Sequence, residues 1–219
     1  LRDARGDPIR LPPPGGGRSG RWHLFLSHRW GGAAQEICRV IKQRLLELLP
    51  SASVFLDVDD LDDIEKLEEY IDATQTVLIL LHGCTAYFQS QNCLREVRTA
   101  VGKRRPIVLL RDGVELDTAR AICPPEMRGA VFASPHAVVE WHRLGDFQRV
   151  TLLQICRAIL PADVGPGVTL RSGTIALAST AGALPPPAIG AVHLYVSPRN
   201  LGAAELAEEI AQLGCCQKG

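Results

Sequence analysis

Aromatic residues make up only 5% of the 219 residues, and Met127 is the single methionine. An interior assembled from this chain must be aliphatic. Net charge is absent as well, with 24 Lys and Arg against 24 Asp and Glu. No overall field therefore draws the chain to nucleic acid or to an anionic membrane, and neither is expected as a partner. No apolar run approaches the roughly 20 residues that cross a bilayer. The first residues contain no apolar stretch of the kind that marks a signal peptide. The first residue is Leu1 and not methionine, so the chain reads as a piece of a longer protein. Its seven cysteines include no CxxC pair, which removes the usual zinc spacings. An odd number of cysteines, several inside apolar patterns, points to buried free thiols in a reducing, cytoplasmic setting. Dinucleotide-type GxGxxG, Walker and nucleophile-elbow motifs are missing too.

Alternation of short apolar runs with amphipathic ones dominates what is present. Residues 22–26 read as a strand, broken by Gly31-Gly32, and residues 33–49 as a helix. Ile37, Val40, Ile41, Leu45 and Leu48 give that helix an apolar stripe at spacings of three and four. Residues 54–56 form a second strand, followed by an acidic loop over 57–63. A helix over 64–73 comes next, with Ile64, Leu67 and Ile71 facing inward. Residues 76–81, Thr-Val-Leu-Ile-Leu-Leu, lack alternation and imply a strand buried on both faces. A helix over 92–102 and a strand over 106–110 complete the strong part of the pattern. Further on, residues 114–122 read as a short helix, Val131-Phe132 as a fifth strand, and 146–160 as a final helix.

Alternating strands and helices predict an α/β, three-layer, flavodoxin-like fold: a five-stranded parallel sheet ordered 2-1-3-4-5. Four divisions of the chain are expected. Residues 1–21 form a Pro/Gly-rich tail, 22–161 the α/β domain, 162–190 a linker, and 191–219 the truncated start of a second α/β unit. Ligands of such sheets lie beyond the carboxyl ends of the strands, where the order reverses. Ser27, His28, Arg29 and Trp30 end the first strand there, with residues 82–87 opposite and Asp57 nearby.

Three segments resemble a Toll/interleukin-1 receptor (TIR) domain over roughly residues 22–160. Phe25-Leu26-Ser27-His28-Arg29 is similar to the first-strand box of that family. Val54-Phe55-Leu56-Asp57 resembles its second strand, and Cys93-Leu94-Arg95-Glu96-Val97 the Cys-Leu-x-Glu-Leu start of its third helix. The resemblance implies an intracellular signal-transduction module that associates with other TIR domains as a homo-oligomer. Some members also cleave NAD+, which would enter here as substrate, with no cofactor or metal implied. The resemblance implies that, for cleavage, a glutamate early in the second helix is essential. This chain has Lys66 at that place in an ungapped register, and because its loop is shorter Glu65, Glu68 and Glu69 remain candidates, local position favouring Glu65 and burial Glu68 as the catalytic residue. If none serves, the chain is a non-catalytic interaction domain. Ser27, His28, Arg29, Trp30 and Asp57 are the substrate-binding candidates, and Cys93, Leu94 and Glu96 belong to the structural motif.

Duller readings stand beside these. The acidic run at 57–65 has calcium-loop spacing only in part, because Leu61 and Asp62 occupy positions that need an oxygen ligand and a glycine. Asp62 or Asp63 instead suits a helix cap. Arg29 could bind a phosphate or clamp the acidic loop, and Trp30 could stack on a base or simply pack. Cys93 could be activated by its helix N-terminus or be a packed small hydrophobe.

Overall fold

A computed structural model of the chain describes residues 1, 9–14, 21–83, 85–132 and 138–160. The expected linker at 162–190 and second unit at 191–219 lie outside the described residues, as do Cys84, Cys215 and Cys216. By its internal contacts the chain divides into two units, Leu1–Trp141 with Arg149–Leu170, and His142–Gln148 with Arg171–Gly219. Within the described part of the second, the rings of His142 and Phe147 lie 5.6 Å apart.

The first unit holds a five-stranded parallel sheet in the order β2-β1-β3-β4-β5, as the alternation of its sequence predicts. Its strands are β1 (Trp22–Ser27), β2 (Val54–Phe55), β3 (Thr74–His82), β4 (Ile107–Asp112) and β5 (Val139–Glu140). The helices are α1 (Gly32–Leu48), α2 (Asp57–Asp60), α3 (Leu67–Asp72), α4 (Gln91–Gly102), α5 (Leu116–Ile122), α6 (Pro125–Phe132) and α7 (Gly145–Ile159). Residues of β3 supply both cores, as a strand without alternation must. Leu78 and Leu80 pack with Cys38, Ile41 and Leu45 of α1 and with Ile155 and Cys156 of α7. Val77, Ile79 and Leu81 pack with Leu67 and Ile71 of α3 and with Cys93, Val97 and Ala100 of α4. Among the described residues no helix is long and apolar enough to cross a membrane.

Three expectations change. Val131 and Phe132 are not the fifth strand but the last turn of α6. Pro125 opens that helix with its φ already set, and Met127 and Val131, four residues apart, are both buried in the core beneath it. The edge strand is Val139–Glu140, paired with Leu110 and Arg111. The acidic run is not an open loop. Asp57–Asp60 makes one helical turn, fastened where Leu56 N–H donates to Asp60 at 2.8 Å and Lys42 reaches Asp59 at 3.0 Å and Asp60 at 2.6 Å. Ile64 does not join Leu67 and Ile71 in the core, and is 37% exposed. Residues Ile64–Lys66 wind as a 3-10 turn, capped where Asp63 accepts from Glu65 N–H at 2.9 Å, and this turns Ile64 outward before α3 begins.

Within the amino-terminal stretch expected as a tail, Ile9 and Leu11 are buried with α1 and α7. Leu11 N–H donates to Ser51 Oγ at 2.7 Å. His23 accepts from Ser53 N–H on Nδ1 at 2.9 Å, so its Nε2 carries the proton and donates to the Pro12 carbonyl at 2.8 Å.

Candidate functional site

The carboxyl ends of β1 and β3 are neighbours, with Ser27 in register with Ile79, and the chain turns away from both on glycine. Gly31 (φ +82) and Gly32 (φ +66) adopt left-handed conformations. An added Cβ would meet no atom within 4 Å, so backbone conformation alone calls for glycine at both. A cleft of about 240 Å³ opens at this switch point. Arg29, Gly31 and Gly32 line one side, with His82, Gly83 and Tyr87 on the other. None of its described lining residues is a carboxylate.

Beside the cleft lies a network of buried hydroxyls. Tyr87, which lines the cleft, is hydrogen bonded to Ser27 Oγ, and Ser27 Oγ donates to Glu96 Oε2. Ser27 comes from β1, Tyr87 from the 3-10 segment Thr85–Gln89, and Glu96 from the second turn of α4. The residue Glu96 is 1% exposed. Burial pushes its carboxyl up to about 8, with the charge of Asp57 adding to the rise and the Ser27 hydrogen bond opposing it. At neutral pH the group is therefore mostly a carboxylic acid. Burial also raises the Tyr87 phenol well above its ordinary value, so it stays protonated.

The predicted site residues divide sharply. Ser27 is brought to the cleft through Tyr87, and Arg29 lines it directly. His28 does not line it. Its ring is buried and Nε2 lies 3.8 Å from Asp57 Oδ1, too far for a hydrogen bond, leaving that nitrogen without a partner. Burial lowers His28 and raises Asp57, each opposed by the other's charge, so both move toward neutrality. Asp57 is thus held by the fold, receiving bonds from Val58 N–H at 2.8 Å and from the Trp30 indole. Trp30 neither packs inside nor lines the cleft, and stands 45% exposed. Arg29 does not clamp the acidic segment. It is exposed and without an ion pair among the described residues.

No glutamate of the α3 region reaches the cleft. Glu65 is exposed. Glu68, its side chain 44% exposed, is held by Arg95 through two hydrogen bonds of 2.9 Å, Nε to Oε1 and Nη2 to Oε2. Cys93 is a packed thiol. It is buried, donates from Sγ to the His28 carbonyl at 3.4 Å, and is pushed up to about 12 by burial. Leu94 is partly buried beside it. Ser90 caps α4, accepting from Cys93 N–H at 3.4 Å. Reading the motif as structural gave no hint that Glu96 meets Ser27 beside the cleft. Spacing held the signal, since Cys93, Glu96, Val97 and Ala100 form the buried stripe of α4. Tyr87 lies in the stretch 82–87 that the sequence places opposite Ser27, and it lines the cleft from the 3-10 segment; only its bond to Ser27 carries no local signal. A second pair missed by sequence reasoning is His82 with Asp112, Nδ1 to Oδ2 at 2.7 Å, across the ends of β3 and β4. Among the described residues no three His, Cys, Asp or Glu gather to hold a metal.

No protein-family model matches the chain, and no curated protein matches its sequence. Among solved structures, the TIR domains in the structure of the activated Roq1 resistosome directly recognizing the pathogen effector XopQ match this chain. The TM-score is 0.49 at 15% identity, over 64% of this chain and 99% of that one.

Proposed function

We propose that the chain is a TIR-type signal-transduction module of the cytoplasm that acts by associating with like domains, and that its switch-point cleft hydrolyses NAD+ with Glu96 as the working carboxylate. One observation carries the enzymatic half: the raised, buried carboxyl of Glu96 adjoins the cleft through Ser27 and Tyr87. Strongly perturbed carboxyls beside a cleft are functional candidates. Departure of nicotinamide leaves positive charge on the ribose, which a carboxylate in a dry site stabilises. A group titrating near 8 can also take a proton from the attacking water at a pH close to neutral.

Nicotinamide release by the full chain, concentrated and crowded to favour association, tests this. Glu96→Gln keeps the size and a hydrogen bond of the side chain, and is expected to lower turnover by about 100-fold or more. In the unaltered chain, turnover should climb with pH toward about 8 as Glu96 ionises. Unchanged turnover in Glu96→Gln removes the assignment. A second reading, the non-catalytic scaffold, draws on the outward placement of Glu65 and the pairing of Glu68 with Arg95. Absence of turnover in a folded sample that light scattering shows to be associated would establish it. A sample that stays monomeric at every concentration removes the association shared by both.

A further inference from the structure

A hydroxyl carries one proton, so in a chain of hydrogen-bonded groups the end group fixes the direction of every bond. Glu96, Ser27 and Tyr87 make such a chain, and of the three Tyr87 is the one among the described residues lining the cleft. None is more than 2% exposed, so water hardly competes for their protons. When Glu96 is ionised its carboxylate can only accept, and Ser27 spends its one proton on Oε2. Ser27 Oγ then receives the Tyr87 O–H, and Tyr87 keeps only lone pairs for anything beside it. When Glu96 is protonated its O–H has to donate, because a buried donor left unpaired is costly. Ser27 is the hydrogen-bond partner described for that carboxyl. It accepts, turns its own proton to Tyr87, and frees the phenol O–H to point away from the chain.

We propose that Tyr87 sets the hydrogen-bond polarity of the cleft, under control of the Glu96 carboxyl at the far end of the chain. With Glu96 protonated, Tyr87 offers its O–H to a neutral acceptor such as a carbonyl or amide oxygen. With Glu96 ionised, it offers lone pairs and turns such a group away. Ala34, Leu80 and Ala86 make part of the lining apolar, which suits an uncharged group. At about 240 Å³ the cleft is smaller than the roughly 300–1,000 Å³ that encloses a drug-sized molecule. It takes an amide-sized end of a ligand and leaves the remainder outside. One proton leaves Glu96 and two hydroxyls rotate; no charge moves to the cleft. Asp57 of α2 raises the Glu96 carboxyl, Arg95 of α4 opposes, and Cys38 of α1 and Cys93 of α4 feel its charge. Burial raises both thiols and the Tyr87 phenol, so these three keep their protons where Glu96 releases its own. With the Glu96 midpoint at about 8, the cleft admits acceptor groups at neutral pH and loses them above it. None of this requires that the cleft cleave NAD+.

N,N-Dimethylacetamide is the probe, because it carries a carbonyl acceptor, has no N–H to donate and does not titrate. Its binding to the full chain is followed on the backbone amide signals of Gly32 and Gly83, which line the cleft, on both sides of the Glu96 midpoint. Affinity should fall about fivefold as pH rises through about 8, the worth of one neutral hydrogen bond. Over the same step the Raman tyrosine doublet, taken as the unaltered chain minus Tyr87→Phe, should change from that of a phenol accepting from Ser27 to that of one donating to it. Tyr87→Phe should bind the probe weakly and equally at every pH. Ser27→Ala and Glu96→Gln should each erase the step while circular dichroism shows the fold intact, and Ser27→Ala should still bind through Tyr87. An affinity flat with pH in the unaltered chain, no binding even at the acid end, or a step that survives in Tyr87→Phe overturns the proposal. Nicotinamide release with a flat probe affinity removes only the polarity control, whereas the step without release leaves it standing and removes only the hydrolase reading.

Discussion

Two sets of acids in this domain invite comparison: the ten-residue stretch from Asp60 to Glu69, dense in carboxylates, and the lone Glu96 of α4. The first set is numerous and faces outward. Its members cap turns, as Asp63 does, or pair with cations, as Asp60 does with Lys42 and Glu68 with Arg95. Water, a backbone N–H, an ammonium or a guanidinium is within reach of these acids, and none of them is among the described residues lining the cleft. Glu96 has no cation in contact and almost no water, and its proton affinity rises accordingly. Chemical potential at a site follows desolvation, and a count of carboxylates in the sequence says little about it.

The sharpest way to break this contrast is pH. The folded Glu96 titrates near 8 and the unfolded carboxyl at its ordinary 4.5. Between those values the folded state holds more protons, so Glu96 makes stability fall as pH rises from about 4.5 to about 8, then level off. Thermal melts of the native chain should drop below those of Glu96→Gln by a gap that widens by several degrees across that window. A gap constant with pH would place Glu96 in water. Ser27→Ala comes next: it strips one buried carboxyl and one buried phenol of their shared partner, which should cost about 1–3 kcal/mol in urea unfolding. Glu68→Ala frees Arg95 at a largely exposed pair and should cost no more than about 1 kcal/mol, with turnover unchanged. Glu65→Ala, at a solvated position, should stay within about 0.5 kcal/mol in the same assay. A larger loss there than at Ser27 would invert the contrast.

Much of the sheet was legible because its residues announce both faces at once. The unalternating run of β3 placed it at the centre, and the stripe of α1 gave a helix within a residue of Gly32–Leu48. The edge was less legible. Two residues suffice for β5, too few for any period, and the i,i+4 pair Met127 and Val131 drew α6 through the place expected for it. At the site, the end of β1 and the start of α4 could be read, but the meeting of Ser27, Tyr87 and Glu96 spans three segments up to 69 residues apart in sequence. Local patterns carry no term for such a meeting. The acidic run misled for the same reason: proximity in sequence to the second helix stood in for proximity to the cleft.

The buried pair Ile9 and Leu11 bears on where this domain starts. A piece cut at Trp22, the first residue of the sheet, would remove Ile9 and Leu11 from the core cluster they share with α1 and α7 and free Ser51 Oγ of the Leu11 N–H. It would also strip the His23 Nε2 proton of its carbonyl acceptor on Pro12. Such a piece would join a half-dressed apolar corner to a buried donor with nowhere to give its hydrogen, and its clumping could pass for the self-association of a signalling domain. Light-scattering comparisons between chains with and without residues 9–12 therefore separate true assembly from the stickiness of a missing sleeve.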